Sequence, residues 1–141
     1  MGQVLVNRNN NQIQKQMKEH SGDCFEKNAK VFMDEFSDIP SAVLVHAIVK
    51  GTAGEVKGIK FAHCFIEFGD MVADYSNGND FIGRKEQYYA EGRISYTEKY
   101  TLTEVQDKII KHEVWGGWTK EINSVMDEAY KLLKKKRHGK R

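Results

Sequence analysis

The chain of 141 residues is 40% hydrophobic and 30% charged, and its formal net charge is +2. This size and balance predict one globular domain with a hydrophobic core and a well-solvated surface. No apolar run approaches the roughly 18 residues of a membrane span, and the N-terminus lacks the apolar stretch of a signal peptide. We therefore predict a cytoplasmic protein that makes no membrane contact.

The first clear element along the chain is a helix that begins close to Cys24. Ser21 or Asp23 can cap its N-terminus, and Pro40 marks the point where it must have ended. Its apolar residues recur at helical spacing and form one stripe, at Phe25, Ala29, Phe32, Met33 and Phe36. This pattern predicts an amphipathic helix that packs on a core.

Three strands are predicted after this helix. The β-branched run at residues 43–49 is typical of a buried strand, and residues 61–68 form a second strand rich in aromatic residues. A Gly-Asp turn separates it from a third strand at residues 71–75. Because such a short turn joins hairpin strands, the sheet is predicted to be antiparallel.

The second half of the chain is predicted to be mostly helical. The segment NGNDFIGRKEQYYAEGRI is irregular apart from a short helix, and residues 95–102 can add a strand. The next helix is capped by Thr101 or Thr103, and Thr103 and Gln106 have the spacing of a capping box. The last helix carries a clear apolar stripe, at Ile122, Val125, Met126, Ala129, Leu132 and Leu133.

The order helix, strands, helices predicts an α+β fold. We assign residues 1–133 to a single domain and residues 134–141 to a basic C-terminal tail, since the apolar stripe ends at Leu133. The sequence of the tail, KKKRHGKR, carries most of the excess positive charge. A solvated end is the simpler interpretation of such a run, and contact with nucleic acid or an acidic partner is the alternative.

Two polar residues interrupt the predicted apolar strands. Strand alternation places His63 on the same face as Phe61 and Phe65, and Asp74 on the same face as Val72. The tight turn brings the two strands together, so the side chains of His63 and Asp74 are expected to meet. An aspartate there fixes the imidazole tautomer and leaves the other ring nitrogen available as a base.

Cys24 is the candidate nucleophile for this base. Cys24 and Cys64 form no C-x-x-C pair and are predicted to be reduced thiols. In the first helical turn, the helix dipole and the backbone N–H groups favour a thiolate at Cys24 and can stabilise an oxyanion. If the helix N-terminus lies beside His63, then Cys24, His63 and Asp74 form a triad. Taken singly these residue types are more often structural, so the prediction depends on their joint pattern.

The order Cys, His, Asp resembles that of the papain-like fold in its transglutaminase-like arrangement, which the NlpC-type cell-wall peptidases share. The segment AHCFIEFGDMVADYSNG is similar to the pattern in which HAWVE precedes an aspartate-bearing strand, and GDCFEKNAKVFMDEF resembles the nucleophile helix. The resemblance covers roughly residues 20–80, and it extends to small phage-encoded proteins. It implies a papain-like, transglutaminase-core-like fold with Cys24 as nucleophile, His63 as base and Asp74 as the orienting residue.

The resemblance implies a thiol-dependent hydrolase or acyltransferase that acts on an amide, isopeptide or peptide bond in a protein or peptide substrate. The alternative is a catalytically inactive papain-like protein that inhibits or recruits a host or partner macromolecule. Zinc bound by Cys24, His46, His63 and Cys64 is disfavoured, because their spacing matches no known zinc signature and Cys64 points away from His63. We therefore predict that the protein uses neither a metal nor an organic cofactor.

Overall fold

The computed structural model describes residues 24–76 and 79–139. Within these residues the helices are α1 (Cys24–Glu35), α2 (Lys85–Glu91), α3 (Leu102–His112) and α4 (Lys120–Gly139). The strands are β1 (Val43–Lys50), β2 (Lys60–Phe68), β3 (Met71–Ser76), β4 (Asn79–Arg84) and β5 (Tyr96–Tyr100). A short 3-10 turn, Gly54–Val56, lies between β1 and β2.

The five strands form one antiparallel sheet with the order β4-β3-β2-β1-β5. The turn between β2 and β3 contains Gly69, whose φ of 57° lies in the left-handed region that glycine adopts without strain. The predicted antiparallel α+β arrangement, with helices before and after the sheet strands, is therefore confirmed. The sheet positions β2 and β3 side by side, and these are the strands that carry His63 and Asp74.

Apolar side chains cover both faces of the sheet. On one face α1 packs its apolar stripe, including Phe25 and Phe32, against Cys64 and Ile66 of β2. On the other face a second cluster of buried and half-buried residues lies beneath α2, at Val45, Ala47, Phe65, Val72, Tyr88 and Tyr89. The predicted stripe of the first helix is confirmed, and the alternation along β2 separates Cys64 from Phe65 as expected.

The strand β4 was missed by the sequence prediction, which treated residues 79–84 as irregular. Its residues Asn79, Asp80 and Gly83 disfavour strands, so local propensity gave no signal. The strand forms because all six of its residues pair with β3. A Cβ atom at Gly83 would approach the tip of the Phe81 ring to 2.5 Å, so that ring, which is 38% exposed, would have to shift.

Two details of the later helices also differ from the prediction. Thr101 is the N-cap of α3, and its capping box is completed by Glu104, so the predicted pairing of Thr103 with Gln106 is wrong. In α4, Ile122 and Ala129 are buried as expected, but Leu132 is 39% exposed. Leu132 lies beside the stripe because the helix turns 100° at each residue.

The C-terminal helix continues through Gly139, beyond the end of its apolar stripe at Leu133. Lys136 Nζ donates to the backbone carbonyls of Glu55 and Lys57, and Arg137 pairs with the Glu55 carboxylate at 3.1 Å. The division into a domain and a tail at residue 133 stays a prediction.

The candidate caps Ser21 and Asp23 lie outside the described residues, as do residues 140 and 141 of the predicted tail. Over residues 24–76 and 79–139, no helix is both long and apolar enough to cross a membrane.

Candidate active site

The candidate site is built around the hydrogen bond between His63 and Asp74. The paired register of β2 and β3 ends at Ile66 and Ala73, and beyond that point the two strands separate. His63 and Asp74 lie just past this end, on the same face, and His63 Nε2 is 2.7 Å from Asp74 Oδ2. The sequence prediction that these two side chains meet is therefore confirmed.

Asp74 is held as an ionised acceptor by four neighbours. Its Oδ2 atom accepts from His63 and from the Tyr88 hydroxyl at 2.6 Å, and its Oδ1 atom accepts from Ser76 at 2.7 Å and Asn28 at 3.4 Å. Burial raises the pKa of Asp74, but the charge of His63 and the hydrogen bonds from His63, Tyr88 and Ser76 outweigh burial and lower that pKa to about 2. An ionised Asp74 requires a hydrogen on Nε2, so Nδ1 is left to act as the base.

Cys24 is the first residue of α1 and is 3% exposed. It acts on His63 through both a hydrogen bond and its charge. Burial lowers the pKa of His63, but the charges of Cys24 and Asp74 and the hydrogen bonds to both residues raise that pKa well above 6.5. The structure therefore brings all three predicted residues together, with the imidazole between a thiol and a carboxylate.

Asn28 ties the helix that carries Cys24 to the strands that carry the other two residues. Its Nδ2 atom donates to the carbonyls of Cys24 at 3.0 Å and Cys64 at 3.1 Å, and its Oδ1 atom accepts from the Tyr75 N–H at 3.0 Å. Cys64 and Tyr75 are the residues that would pair if the β2–β3 register continued. Asn28 thus occupies the gap between the separating strands and satisfies their backbone groups.

Sequence reasoning missed Asn28, although a signal was present. Asn28 is fully buried and lies one turn after Cys24, next to Ala29 of the apolar stripe. A polar residue at such a position needs hydrogen-bond partners. The same reasoning could have found Tyr88, whose partner Asp74 lies on a strand that the sequence did place near His63.

A cavity of about 490 Å³ opens beside Cys24 and His63. Tyr88 contributes to its polar part, and much of the remaining wall comes from α4, which the sequence did not connect with the site. Pockets of roughly 300–1,000 Å³ are typical of small-molecule sites. The thiol and the imidazole therefore share a space that is large enough to receive part of a substrate.

Cys64 lies on the other face of β2 and is fully buried beneath α1. Burial raises the pKa of the Cys64 thiol well above 9.0, and the charges of Cys24 and Asp74 add to this shift. A thiol in that state is a poor nucleophile, since the thiolate is the reactive form. The two cysteines are both reduced, but only Cys24 lines the cavity.

His46 is fully buried and lies among three aromatic rings. Its ring centroid is 4.8 Å from Phe25, 5.2 Å from Tyr100 and 4.6 Å from Trp118. Neither ring nitrogen has a hydrogen-bond partner among the described residues, and burial lowers the pKa of His46 to about 3. Within residues 24–76 and 79–139, no three His, Cys, Asp or Glu side chains are grouped to hold a metal ion.

Comparison of the chain with protein-family models, with curated proteins and with solved structures found no match.

Proposed function

We propose that the protein is a thiol-dependent hydrolase or acyltransferase that acts on an amide, isopeptide or peptide bond. Cys24 is the nucleophile, His63 the general base and acid, and Asp74 the residue that orients the imidazole. The observation that carries this proposal is the position of His63, which hydrogen-bonds Asp74 at 2.7 Å and interacts with Cys24 where both line one cavity. This is the relation between nucleophile, base and orienting group that covalent catalysis needs.

The reaction follows from these positions in two steps. His63 Nδ1 takes the proton of the Cys24 thiol, and the sulfur attacks the carbonyl carbon of the substrate. A C–S bond forms, the C–N bond breaks, and His63 returns the proton to the departing amine. Water or a second amine then attacks the thioester, loses a proton to His63, and releases the acyl group while Cys24 regains its proton.

Backbone N–H groups at the start of α1 supply a candidate oxyanion site. The first N–H groups of a helix have no partner within the helix, and they carry the positive end of the helix dipole. Cys24 opens the described part of α1, so its side chain belongs to the same helical turn as these groups. They are therefore placed to receive the oxygen that becomes negative when Cys24 attacks.

The arrangement of elements supports a papain-like assignment. A helix carries the cysteine at its N-terminus and packs on an antiparallel sheet, and consecutive strands carry the histidine and the aspartate. This is the order and placement that the sequence resemblance implies for the transglutaminase-like group.

Mass spectrometry of the intact protein after incubation with an activated ester tests the proposal. We expect one acyl group on the wild-type protein and none on Cys24→Ala, whereas the matched variant Cys64→Ala should still be acylated. His63→Ala should slow acylation by about 10²–10⁴-fold, the usual contribution of a positioned base.

Acylation that persists in Cys24→Ala would contradict the proposal. If no acyl group attaches to the wild-type protein with any ester or amide tested, the result would favour the non-catalytic binding protein.

A further inference from the structure

The walls of the cavity beside Cys24 differ in polarity. One part is formed by His63 and Tyr88, which belong to the Asp74 network. The rest is mostly apolar and comes from β1, the 3-10 turn, β2 and α4, at Val49, Val56, Phe61, Met126, Ala129 and Leu133. Lys50 is the one lysine or arginine, and Glu91 the one aspartate or glutamate, among the described lining residues.

The apolar walls on the two sides of the cavity are linked to each other. Lys136 donates to the backbone carbonyls of Glu55 and Lys57 at 3.1 and 3.3 Å, and Arg137 pairs with the Glu55 carboxylate. These contacts join the end of α4 to the segment that contains Val56. Leu133 of α4 lies one turn before Arg137, so the contacts hold both sides of the cavity in place.

We propose that this cavity selects substrates whose acyl group is an apolar chain; the inference rests on the function proposed above. The leaving amine must receive a proton from His63, so it belongs on the polar side of the cavity. The acyl group is held on Cys24 between the two steps and takes the remaining space, which is apolar. A charged end of the acyl group would lose its hydration against Val56, Met126 and Leu133 of this wall.

The selectivity should be measurable as a dependence on acyl chain length. Each methylene buried in an apolar site increases kcat/KM by up to about fourfold if its contact is made in the transition state. Turnover of p-nitrophenyl acetate, butyrate and hexanoate, each corrected for the rate of Cys24→Ala, should therefore rise along the series. The succinyl ester, which has the length of butyrate but a carboxylate end, should be turned over more slowly than butyrate.

Leu133→Ala and its neighbour Leu132→Ala form a matched pair of variants. Leu133 lines the cavity, whereas Leu132 is 39% exposed and does not. Leu133→Ala should reduce the preference for hexanoate over acetate by about threefold to tenfold, because the longer chain loses its contact with this wall. Leu132→Ala should leave that preference unchanged, and far-UV circular dichroism checks that both variants are folded.

Three results separate this inference from the function on which it rests. Turnover that depends on Cys24 but is flat along the ester series, or is highest for acetate or succinate, would overturn the apolar selectivity alone. A preference for hexanoate that survives Leu133→Ala would overturn the assignment of the wall. Loss of all Cys24-dependent turnover would instead contradict the proposed function.

Discussion

His46 and His63 lie on neighbouring strands but face opposite sides of the sheet. His63 pairs in register with Ala47, the residue after His46. His46 is surrounded by aromatic rings and burial lowers its pKa to about 3, whereas the charges of Cys24 and Asp74 raise the pKa of His63 against burial. Burial alone therefore lowers the pKa of an imidazole, and two acidic groups beside a buried imidazole raise that pKa.

The two histidines consequently affect stability in opposite pH ranges. A folded-state pKa below 6.5 means that His46 contributes fully above pH 6.5, and that its contribution is lost as the pH falls toward about 3. A raised folded-state pKa means that His63 contributes its full share of stability below pH 6.5. That share is lost as the pH rises from 6.5 through the raised pKa of the folded state. The contribution of each histidine to stability can therefore be tested in a pH range where that of the other stays nearly constant.

The largest expected effect concerns the acid side of this comparison. Between about pH 7 and pH 4, protonation of the unfolded chain at His46 should remove roughly 3 kcal/mol from the free energy of unfolding. His46→Leu fills the space among the rings with an apolar side chain that cannot be protonated, so it should abolish that part of the pH dependence. Urea unfolding of wild type and variant at both pH values measures the difference. Equal losses in the two proteins would show that His46 is protonated in the folded state.

The next effect concerns the reactivity of Cys24. Because Cys24 lines the cavity beside its proposed base His63, and burial raises the pKa of the Cys64 thiol, iodoacetamide at about pH 6 should label Cys24 about a hundredfold faster than Cys64. His63→Ala should remove most of this difference. His46→Leu, the matched change in the other histidine, should leave it intact. Peptide mass spectrometry over time gives both rates in one experiment.

Two labelling results would break the comparison. Equally slow labelling of Cys24 and Cys64 in the wild type would mean that Cys24 is structural. Slower labelling of Cys24 in His46→Leu would mean that the two faces of the sheet are coupled.

The sequence could place the two histidines but could not distinguish them by local pattern. Both stand in apolar strands, and alternation assigned His63 to the face that it shares with Phe61 and Phe65. What separated them was a partner on another strand, and the short turn before β3 made that partner, Asp74, predictable. The fold class followed in the same way, from a helical stripe and a hairpin whose residues are close in sequence.

The parts that were not predicted depend on contacts between distant residues. Residues 79–84 form β4 only because β3 offers it a full register of hydrogen bonds. Asn28 satisfies the carbonyl of Cys64 and the N–H of Tyr75, which are 36 and 47 residues away. The wall that Leu133 forms depends equally on the path of α4. No local periodicity carries such information.

The smallest expected effect concerns the Asp74 carboxylate, which accepts hydrogen bonds from two competing donors. Its Oδ2 atom accepts from both His63 and the Tyr88 hydroxyl. Tyr88→Phe removes one donor and leaves that oxygen to His63, so the hydrogen bond with the imidazolium should strengthen. We therefore expect the pKa of His63 to rise further, by about half a pH unit.

NMR titration of the histidine ring protons measures this change, because His46, which stays neutral above about pH 4, is an internal reference in the same spectrum. Tyr89→Phe is the matched control, since the Tyr89 hydroxyl donates to Glu67 and not to Asp74. Only the Tyr88 variant should move the His63 midpoint. A downward shift in that variant would mean that the hydroxyl supports the charged imidazole, for example by keeping Asp74 ionised, and does not compete with it for Oδ2.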